Sequence, residues 1–284
     1  NKYKDIEFAP VLSVASTVKE KEFLNQLFLE HGLSVTALNN YLKCPWKYFY
    51  TSLIRIPEAP NKHLMFGSAI HSALKSYFDR FISGKDLKKE YLIQRFAESL
   101  AQKPIQEQEY REALNKGKIA LSGYYDHYHN SWRTNIFAEF SINGIQMDKN
   151  IILNGKIDKI EILDASHNVN VVDYKTGKPK SRNNIEGYTK NSKGNYKRQL
   201  VFYNLLLNIY QNSKFKMISG EIDFVEPDDK GRYRKELFEI EPKEITKLEE
   251  QIKVVAKEIL NLSFWDRKCD DPDCYYCKLR KMMR

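Results

Sequence analysis

Several things are scarce in this chain of 284 residues, and each scarcity excludes something. No run of about 18 apolar residues occurs, so no transmembrane helix is expected. The opening "NKYKDIEFAP" lacks the apolar core of a secretory signal, which points to a cytoplasmic protein without a membrane partner. It also begins with Asn rather than Met, as expected of a piece cut from a longer chain. The pattern G-x-x-x-x-G-K-S/T is missing, so no P-loop nucleotide site is expected. There is no internal repeat and no low-complexity tract. Cysteine is reduced to four residues, and without a secretion signal disulfides are not expected. Acidic residues are fewer than basic ones, leaving a net charge of +9 and a pI near 9.1. That balance favours a polyanionic partner such as nucleic acid. The stretch richest in positive charge, 175–197, has few large apolar residues and reads either as a solvated loop or as a substrate-facing one.

The residues that are present, 42% hydrophobic and 29% charged, describe a globular chain. Residues 1–33 read as a lead-in or the end of a preceding domain. Ser34 is placed to cap a helix through "VTALNNYLK". Pro45 interrupts it, and "WKYFYTSL" continues as a second helical piece. Apolar residues at 70, 74, 77, 78 and 81 predict a helix through "FGSAIHSALKSYFDRFISG". Two more helices are expected over about 86–101 and 106–132, within a helical insertion of about 84–135. Strands follow at "NIFAEFSI", "IILNGKIDKIEILD" and "VNVVDYK", with Asn and Gly at the turns. Then come a helix at "YKRQLVFYNLLLNIY", strands at "MISGEIDFVE" and "RYRKELFEIE", and an amphipathic helix that opens on Pro242. The order predicts an α/β domain with helices flanking a central mixed sheet.

Two of the strands put charge on an apolar row. Residues two apart in a strand share a face, so Val169, Val171, Asp173 and Lys175 form one row, and Asp158 joins Ile160 and Ile162 in another. Lys159 and Glu161 take the opposite row. If the two strands are neighbours, two carboxylates converge, and like charges that close repel. A divalent cation resolves the conflict, since hard cations take oxygen ligands; separate salt bridges would also do so. Lys175 beside such a pair could orient an attacking water or stabilise a phosphorane-like transition state, and the metal would polarise the phosphoryl oxygen.

Three cysteines form C-x4-C-x2-C at Cys269, Cys274 and Cys277, a spacing suited to one metal centre, with Cys44 as the fourth ligand. Spacing leaves zinc and iron–sulfur both open. Either would clasp the two ends of the domain and supply folding free energy.

In this order the motifs resemble the RecB-like branch of the PD-(D/E)XK nucleases, in the iron–sulfur form of AddB-type proteins and CRISPR-adaptation nucleases. The matching pieces are Cys44 in "YLKCPWKYFY", His71 in "FGSAIHSAL", Asp158 in "GKIDKIE", Asp173 and Lys175 in "VDYKTGK", Gln199 and Tyr203 in "QLVFY", and the cysteine cluster. The resemblance covers about residues 34–277. It implies a restriction-endonuclease-like fold over 34–284. It also implies a Mg²⁺ or Mn²⁺ site built from His71, Asp158, Asp173 and the Tyr174 carbonyl, with Lys175 catalytic. Gln199 and Tyr203, which share a helix face, would contact DNA or organise the site. A 4Fe–4S cluster on the four cysteines is implied, with zinc as the second choice. The resemblance further implies an exonuclease on single-stranded DNA or DNA ends, in DNA repair or recombination. The look of residues 34–53 suggests a junction after a UvrD-type helicase in the same chain or complex. The rivals are a DNA-binding scaffold that no longer cuts and a CRISPR-adaptation nuclease. Without the resemblance, Tyr203 reads as core and Gln199 as surface. His127 and His129 read as surface, and Glu139 as a further acid near the site.

Overall fold

The computed structural model describes residues 20–59, 61–85 and 87–280. The chain divides into two compact units. One holds the described part of Asn1–Pro57 with Gln146–Leu153 and Glu250–Arg284; the other holds Glu58–Ile145 and Asn154–Glu249.

The first unit begins with helix α1 (Lys21–His31), which the lead-in reading did not anticipate; its Leu24 and Phe28 are buried. Residues 1–19 of that lead-in lie outside the described residues. Leu33 then bridges Leu153 in parallel, its N–H donating to the Ile152 carbonyl at 2.7 Å. Helix α2 (Val35–Lys43) starts on the predicted cap, with Ser34 Oγ accepting from Ala37 N at 3.2 Å. Pro45 opens α3 (Pro45–Tyr48), where its missing N–H costs nothing. The chain then widens into a π-helical turn over Phe49–Leu53. There Trp46, Phe49, Phe264 and Trp265 pack together, edge-on or tilted, at ring separations of 4.9–6.4 Å. Trp46 Nε1 donates to the Arg267 carbonyl at 3.0 Å, so the indole is buried with its polar atom satisfied.

In the second unit α4 (Lys62–Phe81) buries Ile70, Leu74, Tyr77 and Phe78, the stripe its spacing predicted. It packs with α5 (Lys89–Ala101) and α6 (Glu107–Tyr128) into one apolar cluster. The sheet has five strands in chain order: β1 (Ile136–Asp148), β2 (Ile151–Ile162), β3 (Asn168–Lys175), β4 (Lys216–Phe224) and β5 (Arg234–Phe238). β3 runs antiparallel to β2 and parallel to β4, and β5 is antiparallel to β4, so the sheet is mixed as expected. β1 is longer than predicted. Asn143-Gly144 is not its turn; Gly144 adopts φ +71 inside the strand, and the reversal falls at Lys149-Asn150.

Between β3 and β4 the chain forms α7 (Arg182–Glu186) and α8 (Asn195–Ile209). α8 lies close on one face of the sheet because that face has glycine where a side chain would collide. A Cβ on Gly155 would stand 2.3 Å from Leu206 Cδ1, and one on Gly220 would stand 3.1 Å from the methyls of Leu200. Helix α9 (Pro242–Leu260) begins on the predicted proline, and α10 (Tyr275–Leu279) ends the described chain. No helix among the described residues is long and apolar enough to cross a membrane.

Candidate functional site

The register fixes where the predicted residues fall. Ile160 stands opposite Val171, so the antiparallel ladder sets Asp158 and Asp173 on the same face of neighbouring strands. Each carboxylate takes a nitrogen partner. Asp158 Oδ1 lies 3.1 Å from Nδ1 of His71 on α4, and Asp158 Oδ2 accepts from Tyr174 N at 2.9 Å. Asp173 Oδ2 lies 2.5 Å from Nζ of Lys175. This oxygen is buried and is held by the ion pair. The exposures of the four side chains differ: 2% for Asp173, 13% for Asp158, 17% for Lys175 and 28% for His71.

A chain of hydrogen bonds anchors the ammonium. Lys175 Nζ donates to Gln199 Oε1 at 2.8 Å, Gln199 Nε2 to Tyr203 OH at 2.7 Å, and Tyr203 OH to the Lys156 carbonyl at 2.9 Å. Gln199 and Tyr203 do share one face of α8, and the close approach at Gly155 lets the tyrosine reach the β2 backbone. One residue escaped the sequence reading. The ring of Tyr196 lies under both Lys175 Nζ at 4.7 Å and Lys180 Nζ at 4.6 Å. Its spacing from Gln199 and Tyr203, three and seven residues along one helix, is the signal that could have found it.

Burial and charge shift these groups. Burial pushes the Asp173 carboxyl up; Lys175 opposes this and the charge of Asp158 adds to it. Burial works to lower the His71 pKa, but the hydrogen bond and charge of Asp158 outweigh it and hold the imidazole above its usual value. Burial, with Asp173 and Asp158 nearby, pushes Tyr203 far up, so it stays a neutral donor. Glu139, on β1, pairs with Lys156 at 2.7 Å, two residues along β2 from Asp158, and among the described residues it makes no ion pair with a predicted site residue. His127 is exposed as expected. His129 is not: it stacks on Tyr125 at 4.4 Å.

The opposite row of β2 is buried as well. Lys159 is 1% exposed and does not face solvent. It pairs with Glu161 at 2.7 Å and lies over Phe78, because α4–α6 cover that face too. With both faces covered, alternation no longer separates core from surface.

In the other unit Cys44, Cys269, Cys274 and Cys277 come together, all four sulfurs within 4.8 Å of one another. The closest pairs, Cys44 with Cys277, Cys44 with Cys274, and Cys269 with Cys277, lie at 3.6, 3.6 and 3.7 Å. Burial raises Cys44. Burial would raise Cys274 as well, but N–H groups of Cys277 and Tyr276 at the start of α10 hold it below the ordinary thiol value. Among the described residues this is the one group of three or more ligating side chains so closely gathered. His71, Asp158 and Asp173 do not form such a group: His71 contacts Asp158 at 3.1 Å, and Asp173 pairs with Lys175.

These donor sets differ in kind. Four sulfurs suit a soft ion or cluster. Two carboxylates and an imidazole suit a hard divalent cation. Comparison with known proteins agrees with the fold. The family model described as PD-(D/E)XK nuclease superfamily matches residues 32–282. A crystal structure described as "Putative exonuclease", from Eubacterium rectale, is similar at a TM-score of 0.51 and 14% identity, over 93% of this chain and 91% of that one. The structure of SSO0001 aligns at a TM-score of 0.32 and 13% identity over 85% of each chain, too weakly to carry an argument. No curated protein matches.

Proposed function

The chain belongs to the PD-(D/E)XK nuclease superfamily, and we propose that it is a divalent-metal-dependent deoxyribonuclease acting as an exonuclease on single-stranded DNA or DNA ends. The observation that carries this reading is the convergence of Asp158, Asp173 and Lys175 at the carboxyl end of β3. A Mg²⁺ or Mn²⁺ ion held by Asp158, Asp173, His71 and the Tyr174 carbonyl would polarise the scissile phosphoryl oxygen and acidify the attacking water. The residues of the chain do the rest. Lys175 Nζ, held by Gln199 Oε1, orients the water and offsets charge developing on the phosphoryl oxygens. Tyr203 fixes Gln199, and Tyr196 supports the ammonium from below. Backbone contacts would dominate DNA binding, so cleavage is not sequence-specific.

The structural neighbour's own description as an exonuclease supports the mode of cleavage. Work in DNA repair or recombination, a helicase domain in the same chain or complex, a cytoplasmic location, and the division of residues 1–33 from a nuclease domain over 34–284 belong to the same reading. They rest on the motif order. Asp173→Ala tests it: cleavage in Mg²⁺ or Mn²⁺ falls by about 10²–10⁴-fold while DNA binding survives. Undiminished cleavage removes the mechanism, and a wild-type chain that binds but never cuts supports the scaffold instead.

The cysteine centre would hold a 4Fe–4S cluster on the same resemblance. The sulfur spacing favours a second reading. Thiolates about 2.3 Å from a single tetrahedral ion stand roughly 3.8 Å apart, close to the 3.6–3.7 Å of three of the sulfur pairs, with all four sulfurs within 4.8 Å of one another. A four-iron cluster interposes its own atoms and spreads its thiolates farther. One equivalent of zinc in a colourless protein favours the single ion; iron with matching sulfide in a brown one favours the cluster.

A further inference from the structure

A basic concavity of about 460 Å³ lies in the cysteine-bearing unit and is lined by none of the residues assigned above. Three separate segments build it: the start of α1 gives Lys21, the β1–β2 turn gives Lys149, and α9 gives Lys253 and Lys257. All four lysines are exposed, and none forms an ion pair among the described residues. The only acid in the lining, Asp148, uses one oxygen to accept its neighbour's backbone N–H at 2.7 Å. Asn25, Asn150 and Asn261 add amides that can donate to phosphate oxygens. The first turn of α1 has no side-chain cap, which leaves N–H groups at the positive end of that helix.

Unpaired ammonium groups do not gather around a hollow by sequence adjacency when they come from three segments. They repel one another, and the arrangement is relieved when an anion enters. The other basic hollow of this unit differs. There Arg267 is committed to Glu258 at 2.6 Å, and Asp270 adds a second negative charge.

We propose that this concavity binds the phosphodiester backbone of DNA, as a second contact on the substrate separate from the cleavage site. A polyanion is favoured over one free phosphate because the lining carries four positive charges against one negative. The assignment to DNA rests on the nuclease reading, but the site itself rests only on the lysines.

The experiment combines Lys21→Gln, Lys149→Gln, Lys253→Gln and Lys257→Gln in the full chain. Binding of a single-stranded 40-mer is followed in chelator from about 50 to 200 mM salt. Each lost phosphate contact removes about 0.7 from the slope of log K against log salt. The slope therefore falls by roughly 2–3, affinity drops tenfold or more, and the melting temperature is kept. Cleavage of a short oligonucleotide stays within about twofold. Unchanged slope and affinity overturn the proposal. So does an equal loss from a control set on the other unit, Lys85→Gln, Lys118→Gln, Lys216→Gln and Lys230→Gln. Thermal protection by inorganic phosphate that needs the four lysines, with DNA binding unaltered, replaces DNA by a small anion. If wild type binds with the full slope yet cuts nothing in any divalent metal, the nuclease reading fails and the binding site stands.

Discussion

On one face of the sheet Asp158 and Asp173 meet His71 and Lys175; on the other, Lys159 and Lys235 meet Glu161, Glu221 and Asp223. Both faces therefore bury charge. The second is closed by its own pairing: Lys235 bridges Glu221 at 3.1 Å and Asp223 at 3.0 Å, Tyr124 OH donates to Asp223, and Asn170 donates to Glu161. Aromatic rings of α4 and α6 cover it, with Phe78 over Lys159 and Tyr128 over Lys235. One carboxylate oxygen on each face, of Asp173 and of Asp223, lacks a hydrogen-bond donor, so the faces differ in access: the first ends at a loop and holds its most exposed partner on a separate helix. A charge on an apolar row is thus a signal of two different things. Mutual neutralisation under a lid of rings reads as architecture; paired acids at a strand end reads as chemistry.

Matched lysine replacements break that comparison most directly. Lys175→Met loses about 10²–10⁴-fold in cleavage with little change in melting temperature, because it removes a charge from a partly solvated site. Lys159→Met costs about 3 kcal/mol of stability, the low end for breaking a buried pair, since Glu161 keeps Asn170 and some solvent. Its turnover per folded molecule stays near wild type. Thermal denaturation and a cleavage assay on both variants check this. If Lys159→Met abolished cleavage in a fully folded protein, the two faces would not differ in the way described.

A smaller effect sharpens the link between packing and site. Gly155→Ala puts a methyl against the end of the Leu206 side chain and pushes α8 off the sheet. Overpacking of this kind costs about 1–3 kcal/mol. Cleavage should fall more than stability does, because the same shift draws Tyr203 from the Lys156 carbonyl and Gln199 from Lys175. Equal stability loss with unchanged cleavage would show that the hydrogen-bond chain does not position the ammonium.

Much of this was legible in the sequence, for physical reasons that differ by element. Ser34, Pro45 and Pro242 mark helix ends because capping and the missing proline N–H are local effects. The stripe at 70, 74, 77 and 78 was legible because α4 has one buried side. Asp158, Asp173 and Lys175 were legible by parity, and the four cysteines by spacing. What escaped depends on partners distant in sequence. The burial of Lys159 was not legible because it comes from α4–α6, not from β2. α1 was missed because its buried residues, Leu24 and Phe28, give only a short stripe. The basic concavity is assembled from residues near 21, 149 and 255, and no local pattern announces it.

The finest distinction between the faces is their response to acid. Burial opposes ionisation of Glu161, but the charge and hydrogen bond of Lys159 and the bond from Asn170 more than offset it, so its folded pKa lies below the ordinary value. Between the two values the unfolded chain holds more protons than the folded one, so this contribution is complete above about pH 4.3. It is lost as pH falls through the folded value. Glu221 acts in the opposite sense. Burial raises its pKa despite Lys235, with Asp223 adding to the rise, so its ionisation weakens the fold as pH climbs above the ordinary glutamate range. Glu161→Gln keeps an acceptor for Lys159 but removes the titration. Its stability should therefore decline less than that of wild type below about pH 4.3, by under about 1 kcal/mol for a pair with some solvent access. Denaturant midpoints from pH 3 to 6, taken for both proteins, read the difference. Parallel curves would mean that Lys159 is balanced by Glu221 and Asp223 rather than by Glu161, and that the closed face works as one shared network instead of a set of pairs.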